Sequence, residues 1–394
     1  MRRLVLFISL AVICICSGCG AYRTAQNTSS GTSSETGKSQ DTTVTAVPRD
    51  SSLIAVDNTV ADSTATPEPE PVRYTFSPVY QTDVYVPAKQ DVPSGQYSGI
   101  TYLGGNRYAV VHDKLNGGGI VFFDIAITND GKVASAKATI PDFTSNSKVS
   151  GRDNEGIAFV PNSTGPEADV SGTLFVSSES KQSIVEYTLD GKETGRSLKI
   201  PPAFGKDKIN SNNGFEALTY NAVTKTFWTT TETPLKADGT ESRLLRLQSF
   251  GSTLKAGNQF LYKMDSPVKS AAEAAAANAY VHGVPALVAL DDGSLIVLER
   301  EVYVPNGGLF AKALGSFTRT LLYVVNPSEA SSGDTLDKSL LVSFSTSSLN
   351  LANFEGMCLG PELPGGWHSL ILIADSQGGS NGLTAEYIRV LVFR

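Results

Sequence analysis

A two-strand phrase returns five times along this chain, at a spacing of roughly sixty residues, and such a period restricts the fold to stacked or ringed units. The phrases are Ser98–Thr101 with Tyr108–Asp113, Glu155–Ala158 with Leu174–Glu179, Glu216–Thr219 with Phe227–Glu232, Val284–Leu287 with Leu295–Glu299, and Glu355–Cys358 with Leu370–Asp375. Each run is β-branched or alternating, and Asp-Gly pairs at 130–131, 190–191, 238–239 and 292–293 offer hairpin turns between runs. A further strand follows each pair, Ser183–Leu189 and Leu321–Val325 among them, so one unit is a meander of about four strands, a propeller blade. The fold expected is therefore an all-β β-propeller with five visible repeats. A sixth blade would fit if the stretch from Val284 to Asn353 held a degenerate unit. The last strand, Tyr387–Phe393, needs a partner, and Arg73–Val79 is the candidate to close the ring. Helical character is confined to the alanine-rich Ser270–Ala279.

In a blade the innermost strand crosses the disc and the second strand returns, so the start of the first and the end of the second share one face. Glu155, Glu216 and Glu355 start inner strands, while Asp113, Glu179, Glu232, Glu299 and Asp375 end second strands. These carboxylates are expected to gather at one mouth of the channel. Like charges held together raise each other's pKa values, recruit arginine or lysine, or bind a cation. Oxygen-only ligands suit hard cations, so Ca²⁺ is the first candidate and Mg²⁺ the second. With three histidines, His112, His282 and His368, and no cysteine cluster, a zinc site is not expected. The alternative is that the acids pair with Arg152, Arg243 and Arg300 or cap turns. The same cations, with Lys114, would equally suit an anionic substrate group.

Several ordered motifs carry a resemblance. Asn154-Glu155-Gly156-Ile157-Ala158, Asn213-Gly214-Phe215-Glu216-Ala217-Leu218, Leu298-Glu299-Arg300 and Asn353-Phe354-Glu355-Gly356-Met357 resemble the recurring motifs of the family described as having phytase-like esterase activity. Ser177-Ser178-Glu179, Thr231–Leu235 and Ala374-Asp375-Ser376 fit the same pattern, from about Ser98 to the C-terminus. The resemblance implies a propeller with ester or phosphoester hydrolase activity. The chain departs from the pattern at Ser98, at Ala217 where glycine is common, and at His282-Gly283-Val284 where a glutamate phrase belongs.

The N-terminus reads as an address. Arg2 and Arg3 precede an apolar run from Leu4 to Ile15, and Cys16-Ser17-Gly18-Cys19 resembles a bacterial lipobox, so residues 1–18 are expected to be a lipoprotein signal peptide and Cys19 the lipidated residue. Residues 19–71 are Ser/Thr/Pro-rich with few large apolar side chains and read as a flexible tether to a domain spanning 72–394. Cell-envelope localisation follows, at the outer membrane if the source is a diderm bacterium. Of four cysteines, only Cys19 and Cys358 lie beyond the signal, so no disulfide framework is expected. A net charge of −7 and the lack of a basic stripe argue against nucleic acid as a partner. Gly378-Gly379-Ser380-Asn381-Gly382 matches the pattern of a serine nucleophile elbow, but it leads into a strand and no histidine follows it.

The function expected is a lipid-anchored, monomeric, metal-assisted hydrolase of a small anionic ester. Glu155, Glu216 and Glu355 are the candidate catalytic residues; Glu155, Glu216, Glu299, Glu355 and Asp375 would hold the metal; Lys114, Arg152, Arg300 and His282 would bind substrate. The alternative is a non-catalytic propeller that binds an envelope glycan, peptide or protein through the same mouth.

Overall fold

Short turns make consecutive strands pair with each other, and in the computed structural model of the chain this local rule accounts for every sheet pairing except that of the first strand with the last. The structure describes residues 74–113, 119–141, 149, 153–162, 170–210, 213–347, 351–378 and 384–394, all within the compact unit Glu68–Arg394. The expected signal peptide, Cys19, the tether, Lys114, Arg152 and Ser380 lie outside the described residues.

After the short strand β1 (Tyr80–Gln81) come five four-stranded antiparallel sheets. Blade one is β2 (Tyr97–Gly104), β3 (Arg107–His112), β4 (Ile120–Ile127) and β5 (Val133–Thr139). Blade two is β6 (Asn154–Pro161), β7 (Gly172–Ser178), β8 (Ser183–Thr188) and β9 (Glu193–Ser197). Blade three is β10 (Phe215–Asn221), β11 (Thr226–Thr231), β12 (Leu244–Phe250) and β13 (Ala256–Lys263). Blade four is β14 (Ala279–Ala289), β15 (Leu295–Val304), β16 (Phe317–Val325) and β17 (Lys338–Ser347). Blade five is β18 (Asn353–Leu363), β19 (Trp367–Asp375) and β20 (Ile388–Phe393), completed by β1. Two short helices accompany blade four: α1 (Ala271–Ala276), started by a Ser270/Glu273 capping box, and α2 (Leu309–Gly315).

The ring therefore has five blades, and the Val284–Asn353 stretch holds no sixth sheet among the described residues: its length goes into the long β14 and β15, α2, β16 and β17. Closure also falls later than the sequence suggests. Tyr80 pairs with Val392 and Gln81 with Leu391, with a further bridge from Tyr85 to Ile388. Pro78 has no N–H to offer and Phe76 has a φ of 51°, so the segment before β1 forms no ladder: the Thr75 and Phe76 N–H groups donate to the Arg394 carbonyl, and the Tyr74 and Phe76 rings pack on Phe393. Of the Asp-Gly pairs, 238–239 is not a strand hairpin: it joins two 3₁₀ turns, and Asp238 receives a two-pronged bond from Arg246.

The core sits between blades. Along β3, Val110 packs towards blade five, with Ile371 and Val390, while Ala109 and Val111 pack towards blade two, with Ile157 and Leu174. The same two-sided burial recurs at the other interfaces: Phe175 against Phe227, Trp228 and Phe260 against Val284 and Val297, Leu298 against Phe354 and Leu370. Because strand side chains alternate and both faces of the blades are covered, the second strands β3, β15 and β19 carry unbroken apolar runs, while β11 buries threonines as well.

Candidate functional site

The inner strands β2, β6, β10, β14 and β18 stand side by side around the channel, and glycine sets how close they come. A Cβ on Gly99 would lie 2.5 Å from the Glu155 carbonyl oxygen, one on Gly156 2.4 Å from that of Glu216, and one on Gly356 2.4 Å from that of Ser98. No side chain fits there, which explains the recurring Glu-Gly pair. Each inner strand also slips register against its second strand at this level: between Tyr97 and Ile100, Asn154 and Ile157, Phe215 and Ala217, Gly283 and Ala286, and Phe354 and Gly356. A bulge re-aims the residue it contains. Glu155, Glu216 and Glu355 all lie in these bulges, and all three line the same cavity of about 280 Å³.

Asp113, Glu232 and Asp375 join them in its wall, with Ser98, Gln96, Asn213 and Gln377 as neutral neighbours. Oxygen atoms of Asp113, Asp153 and Glu155 lie within 4.8 Å of one another, as do those of Glu155, Glu179 and Glu216, so Glu155 belongs to both clusters. Ca²⁺ holds its oxygens at about 2.3–2.6 Å, so two donors on one ion are at most about 5 Å apart, and both clusters meet that limit. Neither contains nitrogen or sulfur, which agrees with a hard cation and not with zinc.

The charges are costly in this buried setting. Burial, followed by the Glu355 and Asp113 charges, holds Glu155 well above the usual carboxylate range. Glu216 is raised in the same way, first by burial and then by Glu155 and Glu232, with Arg300 pulling the other way. Burial pushes Asp375 up to about 8, with Glu355 adding to it, although the Gln377 N–H donates to its carboxylate at 2.7 Å. Glu179 rises to about 7, chiefly by burial, against the Gly214 N–H that donates to it at 2.9 Å.

Arg300 is 7% exposed and already engaged. Its guanidinium donates to Glu232 at 2.7 Å, to Glu355 at shorter range and to Asn353 at 2.9 Å, and Asn353 in turn donates to Glu355 at 2.7 Å. It is a cross-blade clamp on two acids, not a free receptor for an anionic substrate. Glu299 is also placed differently from the sequence expectation. It neighbours Arg300 on β15, so the two face opposite sides; Arg300 reaches blade five, and Glu299 turns to blade three, where it accepts from Tyr262 and Lys338 at 2.6 Å and from the Asp265 N–H at 2.9 Å. His282 does not line the cavity either: paired in register with Glu301, it lies near Glu301, Glu299 and Arg319, and burial lowers its pKa.

Of the expected set, the structure thus brings Glu155, Glu216, Glu355 and Asp375 together, with Asp113, Glu179 and Glu232. Sequence reasoning missed Asp153. Its signal was the Asp-x-Glu of 153–155 with a φ of 54° at Asp153, a left-handed turn that aspartate tolerates at the entrance to β6.

A family model described as phytase-like, esterase-like activity of phytase, matches residues 92–377, which spans blade one to the end of β19 and every acid just named. The chain belongs to this family. Membership of the phytase-like family carries a hydrolase-type expectation. Similar solved structures include the glutaminyl cyclase of Myxococcus xanthus, 10% identical over 80% of this chain and 96% of that one with a TM-score of 0.36. A DUF4221-family member from Bacteroides vulgatus is 10% identical over 80% of this chain and 98% of that one, at a TM-score of 0.36. The Dos1 propeller is 8% identical over 75% and 66%, at 0.31. No curated protein matches the chain.

Proposed function

We propose that this phytase-like protein is a divalent-cation-assisted hydrolase of a phosphoester or related ester, acting at the acidic mouth. The observation that carries the proposal is the pair of all-oxygen clusters sharing Glu155. Asp113, Asp153, Glu155, Glu179 and Glu216 would hold the cation, Ca²⁺ before Mg²⁺. Such an ion supplies Lewis-acid polarisation of an ester oxygen when bound. Asp375, pushed up to about 8, is suited to take and return a proton near neutral pH. Arg300 holds Glu232 and Glu355 in place from across the blade boundary, so it positions the wall instead of binding substrate.

Calorimetric titration of Ca²⁺ into the metal-stripped protein, followed by a phosphomonoester assay on the same sample, tests the proposal. Binding with Ca²⁺-dependent turnover, both lost in the Glu155→Ala/Glu355→Ala double variant, is the expected result. Turnover retained by that variant would sink it. One observation favours a second reading, a non-catalytic module for an envelope glycan, peptide or protein: among the described residues, the cation lining the cavity, Arg300, is already paired internally. Under that reading Ca²⁺ binds without any turnover above the buffer rate.

The proposal includes export, lipidation of Cys19, and a monomer tethered in the cell envelope. Incorporation of labelled fatty acid that persists in Cys19→Ser would overturn the anchoring part.

A further inference from the structure

The acidic cavity has a neighbour of different character. A second cavity of about 400 Å³ abuts it and shares Tyr280, Val281, Arg300, Glu355 and Gln377 with it. Where the first is walled almost wholly by polar groups, the second exposes more apolar than polar surface, its lining combining Val281, Val302, Val304 and Leu351 with polar groups such as Asn278, Thr318 and Thr384. The annexe exists because β14 and β15 run on past the acid level to Ala279 and Val304, so their extra residues stand above the mouth as an apolar wall. Lys312 of α2 lines its outer part, where its amine donates to Asn278 at 2.9 Å. The outward side of α2 carries Leu309, Phe310 and Leu314, which are 66%, 78% and 64% exposed.

A polyanionic substrate gains nothing from this arrangement. The acid cavity already holds more carboxylates than cations among the described residues, and the adjoining space offers more apolar than polar surface. A molecule with one polar ester end and one apolar end matches both chambers at once. We propose, resting on the hydrolase reading, that the annexe is the subsite for an apolar chain, and that the substrate is an amphiphilic ester whose reacting group sits at Glu155 and Glu216 while its chain lies along Val281, Val302 and Leu351. The exposed apolar side of α2 then flanks the entry of that chain.

The test compares ethyl phosphate with octyl phosphate on the full chain with Ca²⁺, following phosphate release below the micellar range of the longer ester. Each buried methylene is worth roughly a fourfold gain, so burial of about three of the six extra methylenes of octyl phosphate should raise its kcat/KM over that of ethyl phosphate by roughly sixtyfold. Val302→Asp places a charge in the annexe and should bring the ratio close to one; Leu351→Asp, at another lining position, should do the same if the first variant fails to fold. Equal kcat/KM values for the two esters in the unaltered protein would overturn the annexe. Absence of turnover with either ester would instead remove the hydrolase reading. In that case calorimetric binding decides the annexe: a chain-length preference lost in Val302→Asp upholds it, and equal affinities overturn it.

Discussion

Blades two and four contain the same four strands in the same order, yet blade two gives the channel its central acid and blade four gives it a clamp. In blade two the bulge between Asn154 and Ile157 holds Glu155, and the second strand ends at Ser178, so that Glu179 turns into the mouth. Blade four has Val284 and Pro285 in the equivalent bulge, and its second strand runs on to Val304. Its two acids, Glu299 and Glu301, lie on the opposite side of β15 from Arg300, towards blade three and the segment that follows it. Glu301 accepts from the Val268 and Lys269 N–H groups at 2.7 and 2.9 Å, while Arg300 between them faces the acids of blades three and five. An acid at a repeat position is therefore a ligand candidate only where strand length and parity aim it inward.

The comparison breaks most visibly at paired substitutions. Glu155→Gln should weaken Ca²⁺ binding by more than about a hundredfold, whereas Glu299→Ala should leave the affinity within about twofold, because no ligand cluster includes it. Calorimetry on the two variants checks this, and a large loss of affinity in Glu299→Ala would erase the distinction between the blades.

Stability should show the reverse order. Glu299→Ala strands the Tyr262 hydroxyl and part of the Lys338 charge, which is 18% exposed, and should cost about 3 kcal/mol in urea denaturation. The value belongs at the low end of that range because Lys338 keeps Asp265 at 2.8 Å. Gly156→Ala should cost about 1–3 kcal/mol, since its Cβ would meet the Glu216 carbonyl at 2.4 Å and the Leu218 Cβ at 2.7 Å. Its Ca²⁺ affinity should fall as well, because relief of that clash moves Glu155 or Glu216. An unchanged midpoint would show that the inner ring has more slack than the distances imply.

pH is the mildest perturbation. A carboxyl whose folded pKa is raised holds its proton more tightly in the folded state, so its contribution is fully present below the ordinary carboxylate range and disappears as pH rises through the folded value. With Glu179 at about 7 and Asp375 at about 8, the Tm of the cation-free protein should fall between pH 5 and pH 8.5. Saturating Ca²⁺ should remove most of that fall, since it binds the ionised form. A flat profile without Ca²⁺ would mean that the acids are better solvated than their burial suggests.

Much of this was legible in the residues. The two-strand phrase is readable because each inner and second strand is buried on both faces, and the Glu-Gly pair because backbone approach admits no Cβ at Gly156 and Gly356. Glu299 was misplaced because its spacing within the phrase resembles that of its counterparts, while its direction depends on β15 continuing to Val304, a property of the whole hairpin. The role of Arg300 was hidden for a similar reason: its partners Glu232 and Glu355 belong to two other blades. Closure by Tyr80 and Gln81 instead of Arg73–Val79 turned on local backbone around Pro78 that composition does not reveal.

The seam between β1 and β20 has a consequence for the order of events in biogenesis. Tyr80 bonds to Val392, two residues before the end of the chain, and pairings this distant in sequence are the slowest to form. Blades one to four can gather their own strands as they leave the ribosome, but blade five stays an open sheet until β20 has emerged. Until then β19 presents an unpaired edge of the kind that invites association between chains. A chain cut short by even a few C-terminal residues should thus fail as an aggregate, with four blades formed and the fifth edge unsealed.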